Sequence, residues 1–178
     1  MAGPSTALRA RVVALSGQNP FRCYQCGNCT AGCPTAKHGD LLPHQVFRLL
    51  QLGEEESDLQ VLRAMQPWIC VGCQTCATRC PQELDLSRVM DAVRAEAIRL
   101  HTVPAAARRP EIFNRTFVQQ VMANGRLSEA ELAIFCNLRN LNPMENAGAL
   151  PALMRRGKFR LDGRRIRGLN ALRRGRKS

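Results

Sequence analysis

The residues best suited to chemistry in this sequence are its cysteines. Eight of the nine fall into two copies of one spacing, C-x2-C-x2-C-x3-C-P. The copies are Cys23, Cys26, Cys29 and Cys33 with Pro34, and Cys70, Cys73, Cys76 and Cys80 with Pro81. Thiolates bind zinc and iron–sulfur clusters, and an odd number of cysteines is unusual for a disulfide framework. The spacing therefore indicates bound metal.

Iron–sulfur clusters explain this spacing better than zinc does. Three thiolates spaced by two residues can wrap one face of a cubane, and the proline-linked fourth cysteine of such a run ligates the other cluster. The pattern predicts two 4Fe-4S clusters, one on Cys23, Cys26, Cys29 and Cys80 and the other on Cys70, Cys73, Cys76 and Cys33. Two zinc sites are the alternative, but zinc sites typically use paired C-x2-C units separated by a longer loop.

The residues between the cysteines fit this interpretation. Gly27, Gly32 and Gly72 allow backbone conformations that bring N–H groups toward the sulfides, where hydrogen bonds tune the reduction potential. The proline after each fourth cysteine turns the chain away and removes an amide donor. Two neighbouring redox centres without a further reactive group would form a path for single electrons.

Other residues with chemical potential are expected to have structural roles. Three aromatic residues stand beside the motifs: Phe21, Tyr24 and Trp68. We expect them to pack in the core, although rings there could also keep water from a cluster. The three histidines lie apart and complete no catalytic set; they are His38, His44 and His101. Cys136 occupies an apolar position of a helical pattern and should be buried. We assign no catalytic residue.

The charge of the chain is concentrated at its C-terminal end. The 178 residues carry a net charge of +12, and residues 155–178 hold eleven basic residues and one acidic residue. Docking on an acidic protein partner is the favoured role of this tail, with solvated charge, a membrane surface or nucleic acid as alternatives. No targeting signal or membrane-spanning run is present, so we expect a cytoplasmic protein. No dinucleotide fingerprint occurs either, so a flavin or nicotinamide would belong to a partner.

Helical periodicity predicts an all-α chain. The helical patterns are TALRARVVALSG, LPHQVFRLLQLG, SDLQVLRAM, DLSRVMDAVRAEAIRLH, PEIFNRTFVQQVMANG, SEAELAIFCNLRN and NPMENAGALPALMRRG. Expected helix starts are Pro43, a cap at Ser57, a cap at Asp85, Pro110 and a capping box from Ser128 to Glu131. After Asp85, one apolar stripe runs along Leu86, Val89, Met90, Val93, Ala97 and Leu100.

Two cysteine motifs separated by a helical insert resemble the α-helical ferredoxin module. The C subunit of heterodisulfide reductase is the closer resemblance, through DLSRVMDAVRAEA, FVQQVMANGRLSE and the late RRGKFRL. The iron–sulfur subunit of succinate dehydrogenase or fumarate reductase would carry an additional ferredoxin domain. The resemblance implies an α-helical ferredoxin with a C-terminal helical extension and a basic tail. We expect an N-terminal helical arm (1–18), the two-cluster domain (19–100), the helical extension (101–157) and the docking tail (158–178).

The resemblance also implies a function and partners. In heterodisulfide reductase the C subunit passes electrons between a flavoprotein and a further subunit whose CCG motifs hold catalytic clusters; this chain has no CCG sequence. We therefore expect a non-catalytic electron-transfer subunit of a hetero-oligomer that binds no nucleic acid. The 23 arginines among the 26 basic residues favour the version found in sulfur-oxidising bacteria over the methanogen one. An iron–sulfur sensor that binds nucleic acid is the alternative from another class.

Overall fold

The computed structural model describes residues 4–140, together with Arg155 and Ile166. Within these residues the regular structure is helical, as the periodicity predicts. The α-helices are α1 (Pro4–Ser16), α2 (Asn28–Ala31), α3 (Pro43–Leu52), α4 (Glu55–Arg63), α5 (Gln66–Ile69), α6 (Thr75–Thr78), α7 (Leu86–Arg99), α8 (Arg108–Asn124) and α9 (Glu129–Arg139). Short 3-10 turns cover Pro20–Arg22 and Ala105–Ala107. The chain divides into two compact units, Met1–Arg108 and Arg109–Ser178.

The first unit is organised around α7. Asp85 caps this helix as predicted, because its carboxylate accepts the Arg88 N–H at 3.2 Å. The predicted stripe is buried from Leu86 to Ala97. Leu100, the last residue of the predicted stripe, is an exception. The helix ends at Arg99, so Leu100 does not continue the helical face that packs in the core, and it is 41% exposed.

Three other helices complete the core of this unit. Helix α1 packs against α7, α3 packs against α4, and α4 also contacts α7. The contacting side chains are apolar and almost fully buried: Leu8, Val12, Val46, Phe47, Leu50, Val61, Leu62, Val89 and Val93. Burying this apolar surface stabilises the unit by roughly 25 cal/mol for each Å² removed from water. The core therefore forms a rigid support for the loops that connect its helices.

Two predicted helix starts are displaced in the structure. Helix α4 begins at Glu55 with Glu54 as its N-cap, whereas the predicted cap, Ser57, lies buried inside the first turn. Helix α8 begins at Arg108, two residues before Pro110. The N–H groups in the first turn of a helix have no partner within the helix. The first turn of α8 can therefore include Pro110, which has no N–H to donate. The start at Pro43 is confirmed.

The second unit is described through α8 and α9. The Ser128 hydroxyl accepts the Glu131 N–H at 3.5 Å, which confirms Ser128 as the N-cap of α9. Cys136 is buried as expected. Arg139 of α9 donates to the Thr116 hydroxyl of α8 at 2.9 Å. The short helix expected in NPMENAGALPALMRRG and the basic tail lie outside the described residues, apart from Arg155 and Ile166.

No helix in the part of the chain that the structure describes is both long and apolar enough to cross a membrane.

Candidate metal centre

Each cysteine motif folds as a tight loop that leads into a one-turn helix. In the first motif Cys29 lies on α2, and in the second Cys76 lies on α6. Both loops carry left-handed residues two and four positions after their first cysteine: Gln25 (φ 64°) and Gly27 (φ 79°), then Gly72 (φ 64°) and Gln74 (φ 62°). Glycine adopts this conformation without strain, whereas glutamine rarely does. The two loops therefore have the same backbone course, with glycine and glutamine exchanged.

The left-handed residues direct backbone amides at sulfur. The Gln25 N–H is hydrogen-bonded to Cys23, and the Gly72 N–H is hydrogen-bonded to Cys70. This agrees with the predicted role of Gly72. Sequence reasoning missed Gln25 and Gln74; placing the two motifs over one another would have found them, since each stands opposite a glycine.

Gly32 has a different role from the one expected. Its backbone is right-handed, with φ −95°. A Cβ at this position would come within 2.7 Å of the Arg79 Cδ, and so the missing side chain makes room for Arg79 beside the second motif. The backbone conformation of Gly32 therefore does not require glycine, and a Cβ here would need the Arg79 side chain to move.

The eight motif cysteines line two cavities. The first cavity is lined by Cys23, Cys26, Cys29, Cys76 and Cys80. The second cavity is lined by Cys33, Cys70, Cys73 and Cys76. Each cavity thus receives three thiols from one motif and the proline-linked thiol of the other, and Cys76 reaches both. This distribution contains both of the four-cysteine sets predicted from the sequence.

The donor set fits an iron–sulfur cluster. Among the described residues, no three His, Cys, Asp or Glu side chains converge closely enough to hold a single metal ion. In a cubane each thiolate binds a separate iron, so its four ligands surround a volume and do not need to meet at one point. Five thiols around the first cavity and four around the second satisfy that requirement.

Burial controls the acidity of most of these thiols. It raises the pKa of Cys29 to about 11, and it raises the pKa of Cys23, Cys70 and Cys76 as well. Cys73 is exposed, and a hydrogen bond with the Thr75 hydroxyl lowers its pKa. Because thiolates are the ligands, metal binding must release protons from the buried thiols.

Several residues near the cavities were not predicted to contact them. His44 lines the first cavity, and its Nδ1 lies 2.7 Å from the Thr30 hydroxyl. Its position at the start of α3, fifteen residues after Cys29, carries no sequence signal of this contact.

Of the three aromatic residues beside the motifs, Trp68 is buried as expected. Phe21 and Tyr24 are 61% and 59% exposed, so the prediction that they pack in the core is wrong. The Arg9 guanidinium covers the Phe21 ring at 4.9 Å from its centroid, and a cation–π contact of this kind can hold an aromatic ring at the surface.

Comparison with known families defines the class of this site. Residues 20–84 match the profile of the 4Fe-4S dicluster domain. The matched segment spans both cysteine motifs and the helices α3 and α4 between them. This part of the chain is therefore similar to an iron–sulfur domain.

Curated relatives identify the wider relationship. The iron–sulfur C 2 subunit of the CoB–CoM heterodisulfide reductase from Methanocaldococcus jannaschii is 30% identical over 107 residues, which cover 60% of this chain and 55% of the relative. The iron–sulfur C subunit of the enzyme from Methanopyrus kandleri is 37% identical over 73 residues, 41% of this chain and 35% of the relative. The C subunit of the ferredoxin:CoB-CoM heterodisulfide reductase from Methanosarcina acetivorans is 36% identical over 77 residues, 43% of this chain and 30% of the relative.

These matches confirm the predicted relationship to the C subunit of heterodisulfide reductase. The matched part of the chain spans about half, or less, of the length of these curated relatives. All three relatives are named as subunits, so the related proteins function within larger assemblies.

Proposed function

We propose that this chain holds two 4Fe-4S clusters and transfers single electrons as a subunit of a heterodisulfide reductase-like complex. The observation that carries the proposal is the lining of the two cavities, each with thiols from both motifs. The ligands of the first cluster are Cys23, Cys26, Cys29 and Cys80, and those of the second are Cys70, Cys73, Cys76 and Cys33. When bound, the clusters supply one-electron redox chemistry.

The chain itself contributes ligands, hydrogen bonds and exclusion of water. The amides of Gln25 and Gly72 donate to Cys23 and Cys70, which stabilises negative charge on those sulfurs. Phe47, Leu84 and Leu86 keep solvent from the inner side of the first cavity. Cys26 and Cys73 are exposed, so each centre has one edge that a redox partner can approach.

The proposed partners are the flavoprotein and the CCG-motif subunit of such a heterodisulfide reductase-like complex. Support comes from the names of the relatives, which are those of subunits, and from the absence of CCG and dinucleotide motifs in this sequence. The chain would then relay electrons between the two in sulfur or thiol/disulfide metabolism. Residues 1–18 would form an arm, residues 19–100 the cluster domain, residues 101–157 an extension, and residues 158–178 a tail that docks on an acidic surface.

Anaerobic purification followed by iron and sulfide analysis tests the cofactor content. We expect roughly eight iron atoms and eight sulfides per chain, and reversible reduction should give an EPR spectrum of two magnetically interacting centres. Two zinc ions per chain would overturn the proposal. Co-purification with a flavoprotein and a CCG-containing protein would support the assignment of partners, and purification with neither from the native host would contradict it.

A further inference from the structure

Each cavity takes its thiols from two segments that lie far apart in the sequence. The first cavity combines Cys23 with Cys80, and the second combines Cys33 with Cys70. The two segments of a pair must stay together if their thiols are to surround one cluster. A contact that joins the two segments of one pair would therefore stabilise one cluster and not the other.

Gln18 joins the two segments that meet at the first cavity. It lies five residues before Cys23, and Asp85 lies five residues after Cys80. The side-chain carbonyl of Gln18 accepts the backbone N–H of Asp85 at 3.0 Å. Leu84, the neighbour of Asp85, is buried and lines the first cavity. The Gln18 contact therefore fixes the chain that leaves Cys80 against the chain that approaches Cys23.

Asp40 joins the two segments that meet at the second cavity. It lies seven residues after Cys33. Its carboxylate accepts the backbone N–H of Met65 at 2.8 and 2.9 Å and that of Gln66 at 3.1 Å. These N–H groups stand at the start of α5, where they have no partner within the helix, and α5 leads directly into Cys70. The Asp40 contact therefore fixes the chain that leaves Cys33 against the chain that approaches Cys70.

The glycine before Asp40 supports the same close approach of the two segments. A Cβ on Gly39 would overlap the side-chain carbonyl of Gln66. Gln66 itself is 1% exposed, so its side chain has no free space to move into. Glycine at position 39 thus allows the backbone beside Asp40 to lie against the start of α5.

We infer that Gln18 and Asp40 are positioning residues, each of which holds together the ligand-bearing segments of one cluster: Gln18 those of the first and Asp40 those of the second. The inference rests on the proposed function, because it requires a cluster with crossed ligands in each cavity. When either contact is lost, the segments that it joins separate more often by local opening. The cluster between them then becomes accessible to water and chelators.

Loss of iron from the full chain to EDTA, under anaerobic conditions, tests this assignment. Samples are taken over time, reduced with dithionite and examined by EPR, so that each spectrum shows which centre remains. Two variants provide reference spectra: Cys26→Ala should retain the centre of the second cavity, and Cys73→Ala that of the first. The unsubstituted chain should lose its two centres slowly, and its rates are the baseline.

The two positioning residues should affect different centres. Asp40→Ala removes a charged acceptor and should speed the loss of the second centre by about tenfold. Gln18→Met removes a neutral acceptor at similar size and should speed the loss of the first centre by about threefold. Asp40→Asn and Gln18→Glu keep an acceptor oxygen at the same position, so both should lose iron at nearly the unsubstituted rate.

Matched controls remove hydrogen bonds of the same kind that do not join distant segments. The side chains of Asn19 and Gln45 each accept a backbone N–H only two or three residues away, at 3.0 and 2.8 Å. Asn19→Ala and Gln45→Ala should therefore change the loss of neither centre. The inference is overturned if Asp40→Ala and Gln18→Met speed the loss of the same centre, of both centres alike, of the opposite centre or of neither.

A second measurement does not depend on iron content. Amide hydrogen exchange, followed by mass spectrometry, should become faster at Asp85 in Gln18→Met and at Met65 and Gln66 in Asp40→Ala. Unchanged exchange at these amides, or faster exchange throughout residues 4–108, would overturn the inference. Fewer than two centres in the unsubstituted chain would instead contradict the proposed function itself, and the inference with it.

Discussion

At the scale of single residues, the proposed ligands divide by cavity and not by position in the chain. Cys33 belongs to the first motif but lines the second cavity, while Cys80 belongs to the second motif and lines the first. The thiol of Cys33 also lies near enough to Cys70 to raise its pKa, although burial is the larger cause. A single substitution can therefore distinguish crossed ligation from ligation within each motif.

We predict that Cys33→Ala damages the cluster of Cys70, Cys73 and Cys76. The variant should lose up to about half of its iron, and its remaining EPR signal should match that of Cys73→Ala. The Cys80→Ala variant should instead match Cys26→Ala. Cys136→Ala is the control, because this cysteine is buried in the second unit and should keep the iron content unchanged. Matching spectra for Cys33→Ala and Cys26→Ala would show ligation within one motif.

At the scale of helices, two buried carboxylates have opposite surroundings. Glu96 on α7 is 1% exposed and accepts hydrogen bonds from Arg11 of α1 at 3.2 Å and Arg99 at 2.8 Å. Burial by itself raises the pKa of Glu96, but the two arginines outweigh it and the pKa is lowered. Glu96 therefore ties α1 to α7 as a charged group.

Asp58 on α4 lacks such support. It is 5% exposed, and neither carboxylate oxygen has a hydrogen-bond partner among the described residues. Burial raises its pKa from 3.8 to about 6, against the opposing effect of Arg9. Since the folded protein holds this proton more tightly than the unfolded chain, Asp58 costs stability above pH 6. That cost disappears as the pH falls from about 6 to about 4.

We predict that Asp58→Asn raises the free energy of unfolding at pH 8 by about 1–3 kcal/mol. Unfolding in guanidinium chloride measures this change. The advantage over the unsubstituted protein should shrink as the pH is lowered toward 5, where Asp58 becomes neutral. Glu56→Gln is a matched control on the same helix, since Glu56 is exposed in the first turn. It should be neutral or cost up to about 1 kcal/mol at both pH values. An equal gain for Asp58→Asn at both pH values would exclude titration of Asp58 as the cause.

At the scale of the whole molecule, charge is distributed unevenly along the chain. Residues 1–90 hold eight basic and seven acidic residues, and residues 155–178 hold eleven basic residues against one acidic. Eight thiolates around two oxidised cores would add about −2 per cluster, lowering the net charge from +12 to about +8. The negative centres would lie in the nearly neutral half. Such a distribution suits a redox domain joined to a cationic segment that binds a protein partner.

We predict that deletion of residues 158–178 releases the chain from its complex and leaves the clusters intact. The deleted segment carries nine of the 26 basic residues, while all eight motif cysteines lie in residues 23–80. Pull-down from the native host and iron analysis of the same sample measure the two effects separately. A full chain in which lysine replaces every arginine of residues 158–178 keeps the charge of the tail. It should bind the partners as the unsubstituted chain does if they recognise charge alone. Normal recovery of partners with the truncated chain would contradict docking by the tail.

Local patterns in the sequence were sufficient for the chemistry of the donors and for most helix ends. Cysteine spacing indicates the type of cluster, and a cap such as Asp85 or Ser128 acts on an amide three residues away. Both signals operate over a few residues, so they are visible without the fold. The displaced starts of α4 and α8 show where this approach fails, because several residues in a first turn can each begin a helix.

Only the tertiary structure decided which distant residues meet. It brings His44 to Thr30 beside the first cavity and leaves Phe21 exposed under Arg9. It also pairs Glu96 with Arg11 while Asp58 stays without a hydrogen bond among the described residues. Burial and pairing of this kind depend on helices packed across tens of residues, and a single sequence holds no local pattern for such contacts. The sequence by itself therefore determined which donor atoms this protein can offer, and the packing of its helices decided which of those thiols share a cavity.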